Sequence, residues 1–161
     1  MPDGPPAASS TLIERAHYGS DPEFEDALYE RFRRDFLGPT WHWEGKRVGL
    51  KAHPLRNGRE ATFYHLTTNG TEEASRTLDL ARAERIGWIR PLIEKAEREP
   101  TQVRRWLERR GRQERIHLAT PSFDYLVVLT DRGEYVLPWT AYFVAKLHSR
   151  RKLRSRWEQF S

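Results

Sequence analysis

The stretch Tyr125-Leu-Val-Val-Leu-Thr-Asp-Arg-Gly-Glu-Tyr-Val-Leu-Pro-Trp-Thr-Ala-Tyr-Phe-Val144 decides the fold class. Its β-rich runs, Tyr125–Thr130 and Tyr135–Val144, flank Asp131-Arg132-Gly133, a composition suited to a tight hairpin loop. Upstream, Arg115-Ile-His-Leu-Ala119 is a third β-rich run, set off by Pro121-Ser122. Helical patterns before and after this meander predict an α+β domain built on an antiparallel sheet.

Toward the N-terminus, Phe24, Leu28, Phe32 and Phe36 recur every four residues and stop at Gly38-Pro39, which predicts a helix with one apolar face. Asp21 is its expected cap, with Pro22 at the first helical position. Two strands are expected next, over residues 47–53 and 61–67, joined through Pro54 and an Asn57-Gly58 turn. A second helix is expected from Leu78 to about Glu99, burying Leu80, Ile86, Ile89, Ile93 and Ala96, with Pro91 kinking it near Arg90. Thr101–Arg110 is a candidate short helix stopped by Gly111, and a basic helix is expected over Ala145–Phe160. Residues 1–11 are rich in Pro, Gly, Ala and Ser and are expected to be disordered. Residues 12–161 then form one domain with a single core: N-terminal helices packed on a four- to five-stranded antiparallel sheet, with a C-terminal basic helix.

The 161 residues include no Cys, which excludes disulfides, thiolate metal sites and a cysteine nucleophile. The longest apolar runs have five residues and no signal peptide opens the chain, so a cytoplasmic protein with no membrane association is expected. Charge is unevenly spread. Residues 1–80 hold 10 Lys+Arg against 13 Asp+Glu, whereas residues 81–161 hold 18 against 10, a net of +8. A basic half suggests a polyanionic partner, nucleic acid first and an acidic lipid surface second. The 23 Arg against 5 Lys favour nucleic acid, because Arg forks onto phosphate and stacks on bases, although a GC-rich genome also enriches Arg.

There is no glycine-rich phosphate loop, G-x-S-x-G elbow, H-E-x-x-H or paired Asp cluster, which argues against a metal-dependent nuclease or a nucleotide hydrolase. No metal and no cofactor are expected. Chemistry would then rest on His, Arg, Tyr and hydroxyl groups. Such a set suits RNA cleavage, where the ribose 2′-OH is the nucleophile, an imidazole moves protons near neutrality and Arg stabilises the phosphorane. His65 is the leading histidine; if its segment is a strand, it faces away from Tyr64. The ordinary alternative is a core histidine bonded to a carbonyl. His117 would share a strand face with Arg115, and Arg82 and Arg85, three apart, would share a helix face able to grip one phosphate. Thr140 and Tyr142 would share a strand face opposite Trp139 and Ala141. Arg150, Arg151 and Lys152 on the last helix are candidates for backbone-phosphate binding. Solvated charge and ordinary strand composition are the competing explanations for all of these.

The segments Ala61-Thr-Phe-Tyr-His-Leu-Thr-Thr-Asn-Gly70, Leu78-Asp-Leu-Ala-Arg-Ala-Glu-Arg-Ile-Gly-Trp88, Asp124-Tyr-Leu-Val-Val-Leu129 and Trp139-Thr-Ala-Tyr142, followed by a basic tail, resemble the phage- and mobile-element nuclease families of the barnase–EndoU–colicin–RelE (BECR) fold. The resemblance covers roughly residues 45–160. It implies a metal-independent, toxin-like endoribonuclease with its active site on the open sheet face. It assigns catalysis to His65, Arg85 (or Arg82), Thr140 and Tyr142. In the same reading Arg82, Arg115, His117, Arg150, Arg151 and Lys152 bind substrate. The implied partners are tRNA or mRNA and a possible antitoxin or immunity protein. A non-catalytic nucleic-acid-binding adaptor is the alternative, and an interaction protein of a phage particle or defence complex a third reading.

Overall fold

A computed structural model describes residues 12–72 and 75–161; the disorder expected for residues 1–11 lies outside the described residues. Helix α1 (Asp21–Phe32) is capped by Ser20, whose Oγ accepts from Glu23 N at 3.3 Å, one residue earlier than expected. Phe24, Leu28 and Phe32 are fully buried. A π-helical turn, Arg33–Leu37, then carries Phe36 onto the same core. Its carboxylate, Asp35, is buried and held by Arg31 Nε at 2.9 Å.

Strands β1 (His42–Trp43) and β2 (Lys46–Val48) form a small hairpin through Glu44-Gly45, both at positive φ, as a two-residue type I′ turn requires. Beyond it the expected pair of strands is overturned. Asn57-Gly58 does make a tight turn, with Arg56 and Arg59 exchanging backbone hydrogen bonds at 3.0 and 2.9 Å. The strands do not flank it, and Ala61–Thr67 is instead a helix, α2. All seven of its residues are buried, so the apolar pattern carries no strand-or-helix period. The preceding loop fixes its start, with Lys51 O and Ala52 O accepting from Thr62 N and Ala61 N.

A two-residue ladder, β3 (Thr68–Asn69) with β4 (Thr77–Leu78), leads to α3 (Leu80–Ala83), capped by Asp79. The expected continuous helix breaks at Arg85, and a 3-10 turn over Ile86–Trp88 precedes α4 (Ile89–Arg98). Pro91 thus sits in the first turn of a new helix, where it has no intrahelical N–H bond to lose, and it kinks nothing. Leu80 is exposed rather than part of the stripe, while Ile86, Ile89, Ile93 and Ala96 are buried.

The expected helix over residues 101–110 is also overturned. Arg104–Arg110 is strand β5, paired with β6 (Gln113–Ala119) through Gly111-Arg112. Gly111 at φ +61 and a free choice at the next position match a type II′ turn. Strands β7 (Tyr125–Asp131) and β8 (Tyr135–Phe143) complete the meander, and Arg132 N donates to Tyr135 O at 2.9 Å across the Asp131-Arg132-Gly133 loop. Helix α5 (Leu147–Phe160) ends the chain.

The fold is α+β, with five α-helices and a six-stranded sheet in the order β1-β2-β8-β7-β6-β5 among the described residues. All neighbours are antiparallel except β2 and β8, which align in parallel at Arg47–Tyr135 and Val48–Val136. The sheet is therefore larger than the four or five strands expected and is not purely antiparallel. Each face has its own apolar cluster, rather than the single core expected. On one, α1, α2 and α4 pack on Leu118, Tyr125, Val127, Leu129, Val136 and Ala141. On the other, Leu153 and Trp157 of α5 join Trp106, Ala119, Phe123, Leu126, Val128 and Val144. Burial on both faces explains the unbroken apolar run of β7.

Candidate active site

Beyond Val136, one edge of β8 is covered by α2 and α3 instead of a strand. Arg82 closes this junction: its Nη1 donates to Thr68 O at 2.8 Å, His65 O at 3.1 Å and Thr140 Oγ1 at 3.3 Å. It joins the C-terminal end of α2, where helical carbonyls lack internal donors, to the middle of β8. Beside it opens a cleft of about 410 Å³ lined by His65, Asn69, Gly70, Thr71, Arg76, Arg82, Trp139 and Thr140. His65, Arg82 and Thr140 are thus brought together, although His65 projects from a helix rather than a strand.

Simple alternation puts Trp139 opposite Thr140, and the structure corrects this. Pairing passes from Val128–Thr140 to Leu129–Pro138, so Trp139 is the extra residue of a β-bulge. Its indole meets the His65 ring edge-on at 5.2 Å and lies under the Arg115 guanidinium at 4.8 Å. Arg115 also donates from Nη2 to Gln113 Oε1 at 3.2 Å and forms no ion pair among the described residues. Burial lowers its pKa, and the like charges of Arg110 and Arg132 lower it further. Burial lowers that of Arg82 as well, opposed by Asp79. Arg115 on the Trp139 ring and Arg82 in the cleft that Trp139 also lines favour an anion beside them. Tyr142 is half-buried, its ring 5.7 Å from the Arg82 guanidinium, and burial raises its pKa so that the hydroxyl stays a donor.

Other candidates lie elsewhere. Arg85 does not join Arg82: α3 ends before it, and its guanidinium lies 3.9 Å from the centre of the Phe143 ring, with Nη1 bonded to Ala81 O. Tyr142 packs toward one cluster and Phe143 toward the other, so the two arginines flank β8 on opposite faces. His117 stacks on Trp106 at 4.9 Å, with Nε2 3.6 Å from Glu108, and burial lowers its pKa. Arg150 is tied to Val144 O at 2.8 Å, Arg151 and Lys152 are exposed on α5, and none of the three lines the cleft. Sequence reasoning missed Trp139 and Arg76 as lining residues; the bulge that aims Trp139 has only Pro138 as its local sign. Among the described residues no group of three His, Asp or Glu could hold a metal ion, and no helix is long and apolar enough to cross a membrane. Compared with protein-family models, curated proteins and solved structures, the chain matches none of them.

Proposed function

We propose that the chain is a metal-independent, toxin-like endoribonuclease that acts in the cytoplasm and cleaves RNA, tRNA or mRNA, by attack of a ribose 2′-OH on the adjacent phosphate. The observation that carries this reading is one cleft holding an imidazole, a hydroxyl and a desolvated guanidinium, His65, Thr140 and Arg82, beside the Arg115–Trp139 stack. His65 accepts the 2′-OH proton, the O2′–P bond forms as the P–O5′ bond breaks, and a proton from water in the open cleft completes the 5′-OH. The products carry a 2′,3′-cyclic phosphate and a 5′-OH. Arg82 balances the developing charge on the phosphorane. Thr140 and Tyr142 hold Arg82 and donate to the phosphate oxygens, and Arg115 holds the chain alongside. Arg85 bonds Ala81 O and packs on Trp88 and Phe143, and takes no part in this step. The resemblance to the BECR-fold nucleases supports this reading, but α5 covers the second sheet face, so the cleft lies at the β8 edge and not on the open sheet face that the resemblance implies; an antitoxin or immunity protein would be the corresponding partner.

A second reading is supported by the Arg115–Trp139 stack, which needs only binding to be useful: a non-catalytic nucleic-acid adaptor. Purified protein incubated with total tRNA and a synthetic mRNA in EDTA separates them. Cyclic-phosphate fragments that disappear with His65→Ala support the nuclease; intact RNA with a salt-dependent gel shift supports the adaptor.

A further inference from the structure

Both turns at one end of the meander carry arginine: Arg110 before the β5–β6 turn and Arg132 in the β7–β8 turn. The register places Arg110 and Arg115 on one face, with Arg132 just beyond it in the turn. Arg110 pairs with Gln113, Arg115 lies two residues on from Gln113 and pairs with Thr130, and Arg132 lies two residues on from Thr130. Glu134 follows Arg132 in the exposed β7–β8 turn and forms no ion pair with it among the described residues, and the strand carboxylates nearby are engaged elsewhere. Glu114 bonds Arg109 at 2.9 Å, and Asp131 bonds Lys46 at 2.8 Å, both on the opposite face by alternation. Glu108 lies directly opposite Arg115, yet its carboxylate takes Trp106 Nε1 at 2.7 Å and Arg156. Arg110 and Arg132 therefore bring two further like charges toward Arg115, which lies over the Trp139 ring, and Arg115 Nε and Thr130 Oγ1 are buried without a hydrogen-bond partner. Like charges held together without a counter-charge repel, and a bound anion removes that repulsion.

We infer that Arg110, Arg115 and Arg132 form a second phosphate subsite, which takes the phosphodiester next to the one in the His65–Arg82 cleft on a single nucleic-acid strand. This rests on the proposed function for the identity of the cleft's ligand. The Trp139 indole is common to both: it lines the cleft and carries Arg115 on its face. A strand crossing that bulge places successive phosphates on its two sides. Substrates with one phosphodiester then miss the second set of contacts.

The test uses a 5′-fluorescein-labelled ten-nucleotide oligothymidylate, which lacks 2′-OH groups and stays intact, with binding followed by anisotropy from about 50 to 200 mM salt. Each phosphate contact on a single strand contributes ~0.7 to the slope of log affinity against log salt. The Arg110→Gln/Arg132→Gln variant should lower the slope by roughly 0.7–1.4 and weaken binding about tenfold or more at the lowest salt. The charge-matched control Arg33→Gln/Arg98→Gln changes exposed residues at the start of the π-helical turn and on α4, and should leave both values alone. Equal slopes for the two variants would overturn the subsite, even if RNA is still cut. A lower slope for the turn variant supports it, even if the wild-type protein leaves RNA intact and the nuclease reading falls.

Discussion

Replacing Arg82 with Met keeps the apolar stem and removes the guanidinium. In the wild type, Nη1 serves Thr68 O, His65 O and Thr140 Oγ1. Thr68 O keeps a second donor, Arg76 Nη2 at 2.7 Å, so it is not stranded. His65 O, in a buried residue near the end of α2, loses the donor that Arg82 supplies, which costs about 1–3 kcal/mol. The bond to Thr140 adds about 1.5 kcal/mol because its donor is charged. Relief from burying a guanidinium offsets part of this. A net loss of about 2 kcal/mol is expected, or roughly 4–8 °C in Tm at ~2–4 °C per kcal/mol for a chain of this size. Urea unfolding followed by circular dichroism measures it. Arg82→Lys should recover less than half, since a point charge cannot reach three acceptors with the geometry of a planar fork. A loss below about 0.5 kcal/mol for Arg82→Met would refute the claim that this side chain ties α2 to β8.

Other consequences follow from the same contacts. Asp35→Ala leaves the mostly buried Arg31 guanidinium with Gly87 O but no counter-charge and should cost about 3 kcal/mol in chemical unfolding, which an exposed Asp on α1 such as Asp26 should not. Burial holds the His117 pKa below the ordinary 6.5, so the folded state disfavours the imidazolium. Its contribution is complete above that value and is lost as pH falls through the folded pKa; unfolding free energy measured from about pH 7.5 to about pH 5.5 should fall less steeply in His117→Phe than in wild type. Gly111→Ala introduces a Cβ into open space at φ +61, so any cost is backbone strain alone, about 1–2 kcal/mol by thermal unfolding. Ala scanning at neighbouring Arg112 should cost less than about 0.5 kcal/mol.

Long periodic signals were readable from residue types alone. The spacing of Phe24, Leu28, Phe32 and Phe36 corresponds to α1 with its π-turn, and the runs around Asp131-Arg132-Gly133 correspond to β7 and β8. Short segments were not. Ala61–Thr67 is buried on all sides, and seven residues without a polar face cannot reveal their period. In Arg104–Arg110 the alternation was present, since Arg104, Trp106 and Glu108 are the less exposed residues, but a helix stop and a hairpin glycine look alike at Gly111. His65, Arg82 and Thr140 were recognisable as chemistry-bearing types, while their meeting depends on the α2–β8 packing that no local pattern encodes. Arg82 and Arg85 looked like partners on one helix; the break at Arg85 sends them to opposite faces of β8. Alternation misplaced Trp139 because a bulge shifts the strand by one residue.

The most direct test places a single 2′-deoxy nucleotide at the mapped cleavage position of an otherwise unmodified RNA and follows the reaction in EDTA. With the substrate's own 2′-OH as nucleophile, cleavage at that position should vanish while other positions are still cut, and His65→Ala should slow those by ~10²–10⁴-fold. Undiminished cleavage at the deoxy position, or less than tenfold loss in a folded His65→Ala protein, would contradict the account.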